Sequence, residues 1–363
     1  MSNTPEAQLK LLLHGHDTVE CCYYLQASSP GQGLDFELLA TQREALRQSK
    51  SRDPLPVTLG GMELLLQRYG SSSGFPIVLK NADLEIECGE FNDPSFYVTF
   101  RSEALWSEGV FALHERFLEW AKSLGFVEYR QETLSRVDFT FDYHLPEIDF
   151  DEDNFVTVSA KDSKYRSNQK AQGFYFGMSD AMLRVYDKVA EIREKSLKVW
   201  FFELWGRESE VWRIEWQVRK DMLRRFGIRT YADLTDQQGD LLRYLATEHD
   251  TLRIKTEDSN RSRWPLHALW IDLQEQVKQF NAQGIHRVVD PKAVASERRA
   301  RIAISIYGNL KQFAALDCVC SGQPAITKSW ALRRLQQQLD WLHDTVMWQA
   351  EVEKRIKLIA LGQ

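Results

Sequence analysis

The chain reads as an α+β protein: an antiparallel sheet with flanking helices, followed by a helical C-terminal region. Two observations carry that expectation. Short segments of alternating apolar and polar residues, separated by Gly, Asn, Asp and Pro turns, recur between residues 62 and 219. From residue 220 onward the apolar spacing becomes helical and the segments lengthen.

Taken in order, residues 1–33 are expected to begin poorly ordered and to contain one short apolar run at 19–25. Helical spacing predicts a helix over 34–47, and the polar, Pro-containing stretch 52–56 a connection. Strands are expected at 62–69, 75–79, 84–88 and 96–101. An amphipathic helix over 107–124 takes its apolar stripe from Phe111, Leu113, Phe117, Leu118 and Trp120, and Gly125 ends it. A strand around Asp138, an acidic loop at 146–154, and strands at 155–158, 173–176, 183–188 and 211–219 follow. Helices are expected at 232–248, 265–281, 291–316 and 326–361. The domains expected are an N-terminal extension (1–60), an α+β core (61–225) and a mostly helical region (226–363). The two strand-helix halves, 60–124 and 134–219, suit a duplicated ferredoxin-like layout.

Composition narrows the class. With 43% apolar residues and 11 Trp, 19 Phe and 12 Tyr, the chain can bury a substantial core. No apolar run approaches membrane-spanning length, and the N-terminus lacks a signal-peptide pattern, so a soluble cytoplasmic protein is expected. The five cysteines, including the adjacent Cys21 and Cys22 and the close pair Cys318 and Cys320, match neither a disulfide framework nor a zinc pattern. A net charge of −6 argues against non-specific coating of nucleic acid and leaves local basic patches open.

Three strands each carry a polar row on one face. In the first, Arg136, Asp138, Thr140 and Asp142 oppose Val137, Phe139 and Phe141. In the second, Arg184, Tyr186 and Lys188 oppose Leu183 and Val185. In the third, Arg213, Glu215, Gln217 and Arg219 oppose Trp212, Ile214, Trp216 and Val218. Taken singly, such a strand is an ordinary half-solvated strand with surface ion pairs. Side by side, the three make one face of carboxylates, cations and a tyrosine. That inventory can cut a phosphodiester: carboxylates for a divalent metal, arginines for phosphate, a phenol for attack on phosphorus.

The segment Arg136-Val137-Asp138-Phe139-Thr140-Phe141-Asp142 resembles the "R-hydrophobic-D-hydrophobic-x-hydrophobic-D" strand of the Rep_trans family of rolling-circle replication initiators. Phe174-Tyr175-Phe176-Gly177 with Leu183-Arg184-Val185-Tyr186-Asp187-Lys188 is similar to that family's "YFG…S…IR-x-Y-(N/D)-K" segment. Trp212-Arg213-Ile214-Glu215, followed by Arg219-Lys220-Asp221-Met222, resembles its "W-R-hydrophobic-E…R-D-M" segment. The motifs occur in family order, and the resemblance spans about residues 60–345. It implies a rolling-circle nickase fold and a replication initiator of plasmid, phage or integrative-element type.

The resemblance assigns the nicking nucleophile to Tyr186. Arg184 and Lys188 flank it two residues either way and are expected to lower its pKa and hold the phosphate. Tyr175 is the alternative, read as structural or as a stacking platform. The expected cofactor is Mg²⁺ or Mn²⁺, held by Glu215 with Asp138 or Asp142. Those two aspartates stand about 13 Å apart by strand rise, too far to share one ion; the one left over orients an arginine or acts as base. The chain has no His-hydrophobic-His triplet, and His144 is either an added ligand or a loop histidine. Arg213 and Arg219 are either phosphate clamps or salt partners of the carboxylates.

DNA contacts are expected from Arg136, Arg213, Arg219 and Lys220, from the basic stretch with Lys164, Arg166 and Lys170, and from Arg298 and Arg299 on the helix at 291–316. The expected partner is origin DNA, double- and single-stranded, with a host helicase and a homodimer left open and no membrane. A conjugative relaxase of the same family is chemically equivalent. The rival from another class is a non-catalytic DNA-binding regulator. A metal-dependent hydrolase with no covalent step would not need a tyrosine between two cations.

Overall fold

The computed structural model describes residues 9–49, 52–159, 162–167, 170–178, 180–279, 291–322, 327–342 and 347–360. The α+β expectation holds. Eleven antiparallel strands form one sheet: β1 (Lys10–Ala27), β2 (Leu55–Leu59), β3 (Met62–Leu66), β4 (Ile77–Lys80), β5 (Leu84–Cys88), β6 (Phe96–Phe100), β7 (Phe126–His144), β9 (Asp162–Ser167), β10 (Lys170–Phe176), β11 (Ala181–Asp187) and β12 (Val211–Arg219). Their spatial order is β2-β3-β4-β5-β6-β1-β7-β12-β11-β10-β9. Two short strands, β8 (Phe155–Thr157) and β13 (Asp250–Leu252), pair apart from it.

The position of β1 departs most from expectation. The N-terminal stretch read as an extension forms an 18-residue strand between β6 and β7, the centre of the sheet. Beyond the expected apolar run at 19–25, Leu11 packs on the main core and Leu12 and Leu13 on a second apolar cluster. The end of the connection expected at 52–56 belongs to strand β2, Leu55–Leu59, despite Pro56, which sits in the edge strand where a missing N–H is tolerated. The helix expected at 107–124 is two, Ser102–Glu108 and Val110–Ser123. They meet at Gly109, whose φ of 84° suits glycine and which donates its N–H to Leu105 O. The final helix expected at 326–361 is described as Lys328–Leu342 and Trp348–Ala360.

Alternation decides which sheet face packs. Val137, Phe139, Phe141, Tyr143, Ile214, Trp216, Val218, Leu183 and Val185 are all buried in one core. Leu234, Leu241, Leu242, Trp270 and Leu273, from helices Tyr231–Tyr244 and Ala268–Lys278, belong to it. Trp216 meets Trp270 edge-on at 5.8 Å, and its indole N–H donates to Asp250 at 2.9 Å. On the N-terminal half, Phe117 and Trp120 of helix Val110–Ser123 pack on Phe96. Cys21 and Cys88 are buried free thiols whose pKa burial pushes up, as expected of inert cysteines.

Two histidines of β1 share this packed face. His14 lies beside Phe141 and His16 edge-on to Phe139 at 5.3 Å. Burial pulls the His16 pKa from 6.5 down to about 4, although Gln238 acts the other way. The unfolded chain therefore takes up a proton at a higher pH than the folded one. The stability associated with neutral His16 is complete above about pH 6.5 and is lost as pH falls towards about 4, in all about 3 kcal/mol. His16→Gln is expected to flatten the fall in melting temperature between those limits. An unaltered pH profile in that variant would remove His16 as the cause.

Candidate active site

The opposite face of the sheet carries the predicted polar rows, and strand register sets them side by side. Tyr175, Arg184, Glu215 and Thr140 form one cross-strand row, and Gly173, Tyr186, Arg213 and Asp142 the next. Gln217 stands opposite Asp138, and Arg219 opposite Arg136. The face is not a solvated surface. Asp138, Thr140, Asp142, Arg213, Glu215 and Gln217 are buried, and Tyr186 is 7% exposed.

A segment for which the spacing predicts no element covers Asp142, Arg213 and Tyr186. After β11 the chain folds back through helix Lys188–Glu191, a wide helical turn and helix Trp200–Trp205. Trp200, Phe201 and Trp205 make a second apolar cluster with Trp106 and Val211. Trp106 packs against Gly15 of β1, where a Cβ would lie 3.0 Å from the indole. Lys188 begins this cover and does not extend β11 as expected.

Two polar networks result. In the first, Arg213 donates to both Asp142 oxygens, at 2.6 and 2.8 Å, and Trp205 donates to Asp142 Oδ2 at 3.0 Å. Arg213 also donates to Asp17 at 2.7 Å and lies over the Phe201 ring at 4.6 Å. Asp17 is the extra residue of a bulge in β1, between the pairs His16–Phe139 and Thr18–Asp138. The bulge turns its carboxylate towards Arg213, Lys198 at 3.2 Å and Ser102 at 2.8 Å. Burial alone would raise its pKa, but Lys198, Arg213 and Lys188 hold it well below the usual carboxylate range. Asp142, one of the candidate metal ligands, thus accepts three hydrogen bonds, from Arg213 and Trp205, that fix Arg213 and the cover. Arg213, itself fully buried, is its salt partner.

In the second network, Tyr186 donates its hydroxyl to Glu215 Oε2 at 2.8 Å. Arg184 donates to Glu215 Oε1 at 2.7 Å and to Gln217 at 2.5 Å. Tyr175, half-buried, meets the Tyr186 ring edge-on at 6.2 Å. Next along β7, Arg136 grips Asp138 through Nε at 2.8 Å and Nη2 at 2.5 Å and reaches Glu20 at 3.0 Å. Burial lifts the Asp138 carboxyl to about 7, with nearby Glu215 adding to the rise and Arg136 opposing it.

The expected lowering of the Tyr186 pKa is also corrected. Burial, and then the charge of Glu215, pushes the phenol well above its usual range. Arg184 spends its charge on Glu215, and Lys188, 5.6 Å from the Tyr186 ring, pairs with Glu191 at 2.6 Å. The phenol stays protonated at neutral pH, with an acceptor already in hydrogen-bond contact.

The remaining assignments separate by place. His144 reaches Glu210 at 3.1 Å at the far end of β7 and belongs to neither network. Arg219 is exposed and Lys220 half-buried where β12 ends. Arg299 is exposed on the long helix Pro291–Ser321. The side chains of Lys164, Arg166, Lys170 and Arg298 lie outside the described residues. Sequence reasoning missed Asp17, Lys198 and Trp205, which come from outside the three motif strands. Among the described residues, no group of three His, Cys, Asp or Glu side chains is placed to hold a metal.

No family model matches the chain, and no curated protein does. Among solved structures it is similar to the rolling circle replication initiator protein from Geobacillus stearothermophilus, at 18% sequence identity and a TM-score of 0.45, over 76% of this chain and 100% of that one.

Proposed function

We propose that the chain is a replication initiator that binds an origin and nicks one DNA strand with Tyr186. The observation that carries this reading is the hydrogen bond from the Tyr186 hydroxyl to Glu215, beside Arg184, on the face where the three motif strands meet. The Tyr186 oxygen attacks the scissile phosphorus as its proton passes to Glu215. The bond from phosphorus to the 3′ oxygen breaks, and that oxygen takes a proton from water. The products are a 5′-phosphotyrosine and a free 3′-hydroxyl that primes synthesis. A relaxase would use the same chemistry on a transfer origin; a regulator that only binds DNA would not need the Tyr186–Glu215 contact.

The donor set suits a hard divalent ion, Mg²⁺ or Mn²⁺. Asp138 and Glu215 are buried carboxylates close enough for one to raise the pKa of the other, a repulsion that a cation relieves. Each carboxylate oxygen has two lone pairs, so their present partners leave room. Water and phosphate oxygens complete such a site, as is usual for Mg²⁺. The ion would neutralise charge on the scissile phosphate. Arg184 and Arg136, at 26% and 20% exposure, are cations of this face open to the DNA backbone. Duplex origin recognition falls to the exposed Arg219, the half-buried Lys220 and the helical region with Arg298 and Arg299.

Calorimetry with Mn²⁺ tests the pair. Glu215→Gln and Asp138→Asn are each expected to weaken Mn²⁺ binding at least about 10-fold, because each removes one of two anionic ligands. Parent-like Mn²⁺ heats in both variants would sink the assignment.

A further inference from the structure

The strands that carry the site run on past it. On β1, Cys21, Tyr23 and Leu25 point into the core, so Glu20, Cys22 and Tyr24 share the face of Arg136 and Asp138. Opposite them β7 bulges: Cys22 pairs with Thr133, Tyr24 with Arg130 and Leu25 with Glu128, leaving Tyr129 as an extra residue. The bulge lays the Arg130 guanidinium over the Tyr24 ring, 3.3 Å from its centre, and sets Tyr129 edge-on to Tyr24 at 6.1 Å. Tyr24 is buried beneath and tied to Thr133 at 3.2 Å. Arg130 is exposed, Tyr129 is 48% exposed, and the Tyr129 hydroxyl is anchored on Asp93 at 2.9 Å. Among the described residues no carboxylate forms an ion pair with Arg130.

The stretch of face between this cluster and Tyr186 carries an excess of cations. Arg184, Arg136, Arg219 and Lys220 stand along it; Lys220 is near enough for its charge to act on Cys22. Glu20, Asp138 and Glu215 are the acids among them: Arg136 pairs with Glu20 and Asp138, and Arg184 with Glu215, whereas Arg219 and Lys220 form no ion pair among the described residues. An extended, anionic chain is the partner such a track complements.

We propose that Arg130, backed by Tyr24 and flanked by Tyr129, is a stacking platform for one base of a single-stranded nucleic acid running along β7 from the Tyr186 site. This rests on the reading of the site as a DNA nickase. A guanidinium fixed against an aromatic ring offers its outer face to the π-face of any base, without asking for a sequence. The cluster would hold the strand flanking the nick while the cations between contact its phosphates.

The test compares the full chain with Arg130→Lys and Arg130→Ala, on labelled oligo(dT) and on a strand of the same length made of abasic residues. Arg130→Lys keeps the charge and loses the plane. It is expected to weaken oligo(dT) binding about 10-fold, with abasic-strand affinity and melting temperature at parent values. Arg130→Ala is expected to weaken both strands. Equal affinities of parent and Arg130→Lys for oligo(dT) would overturn the platform, as would an equal loss on both strands. Nicking of supercoiled origin DNA by the parent separates the two readings: a parent that nicks while Arg130→Lys binds normally leaves the nickase standing and the platform refuted. A parent that neither nicks nor binds oligo(dT) refutes both.

Discussion

Tyr186→Phe is expected to abolish the covalent protein–DNA adduct and lower nicking by at least about four orders of magnitude. The variant loses one oxygen, the nucleophile, and keeps the ring in its place beside Tyr175 and under Lys188. Glu215 keeps its bond to Arg184, so the lost hydrogen bond should cost only about 1–3 kcal/mol of stability. Duplex origin binding should stay close to the parent value, because the exposed cations proposed to grip DNA are untouched. Incubation with supercoiled origin DNA and Mn²⁺, followed by a denaturing gel, reads the adduct directly. Tyr175→Phe is the matching control. An adduct that survives in Tyr186→Phe and vanishes in Tyr175→Phe would transfer the role to Tyr175.

The second large effect is on stability. Arg213→Met is expected to destabilise the fold by about 3–5 kcal/mol, because it leaves the Asp142 carboxylate, 0% exposed, without a countercharge. Trp205 alone cannot hold a buried anion, and Asp17 loses a partner as well. The double variant Asp142→Leu with Arg213→Met should recover much of that loss, since both charges leave together and similar volume remains. Thermal unfolding of parent, single and double variants reads the difference. A single variant as stable as the parent would show that this ion pair does not hold the cover. The pair, with Trp205, also ties the helix Trp200–Trp205 to β7 and β12 over the face that carries Tyr186.

Much of the site was legible in the chain. Strand alternation alone put Asp138, Tyr186, Arg184 and Glu215 on one face, because the side-chain period of two leaves a strand no other choice once its apolar residues are buried. The β12 boundaries, 211–219, follow from the same alternation, bounded by polar residues at one end and a helical pattern at the other. Periodicity also separated sheet from C-terminal helices. What it could not supply was register. Whether Glu215 meets Asp138, Asp142 or Tyr186 depends on how β7, β12 and β11 slide past one another, and only the hydrogen-bonded ladder fixes that. The ladder gave Glu215 to Tyr186 and Arg184, and Asp142 to Arg213.

Long-range packing decided the rest. Residues 10–27 look unremarkable as sequence, since a strand buried on both edges needs no unusual composition when its neighbours come from elsewhere in the chain. Placed between β6 and β7, they bring Asp17 to Arg213 across nearly 200 positions. The segment from Lys188 to Trp205 shows only aromatic residues at helical spacing. Its effect, turning an apparently solvated face into a buried one and raising the Tyr186 phenol instead of lowering it, arises because burial depends on what folds over a side chain. The sequence by itself determined the sheet, its polar face and the chemical inventory on that face. The tertiary structure decided which charges neutralise one another and which remain for chemistry, because partner choice and desolvation are set by distance in space, and distance in sequence does not encode them.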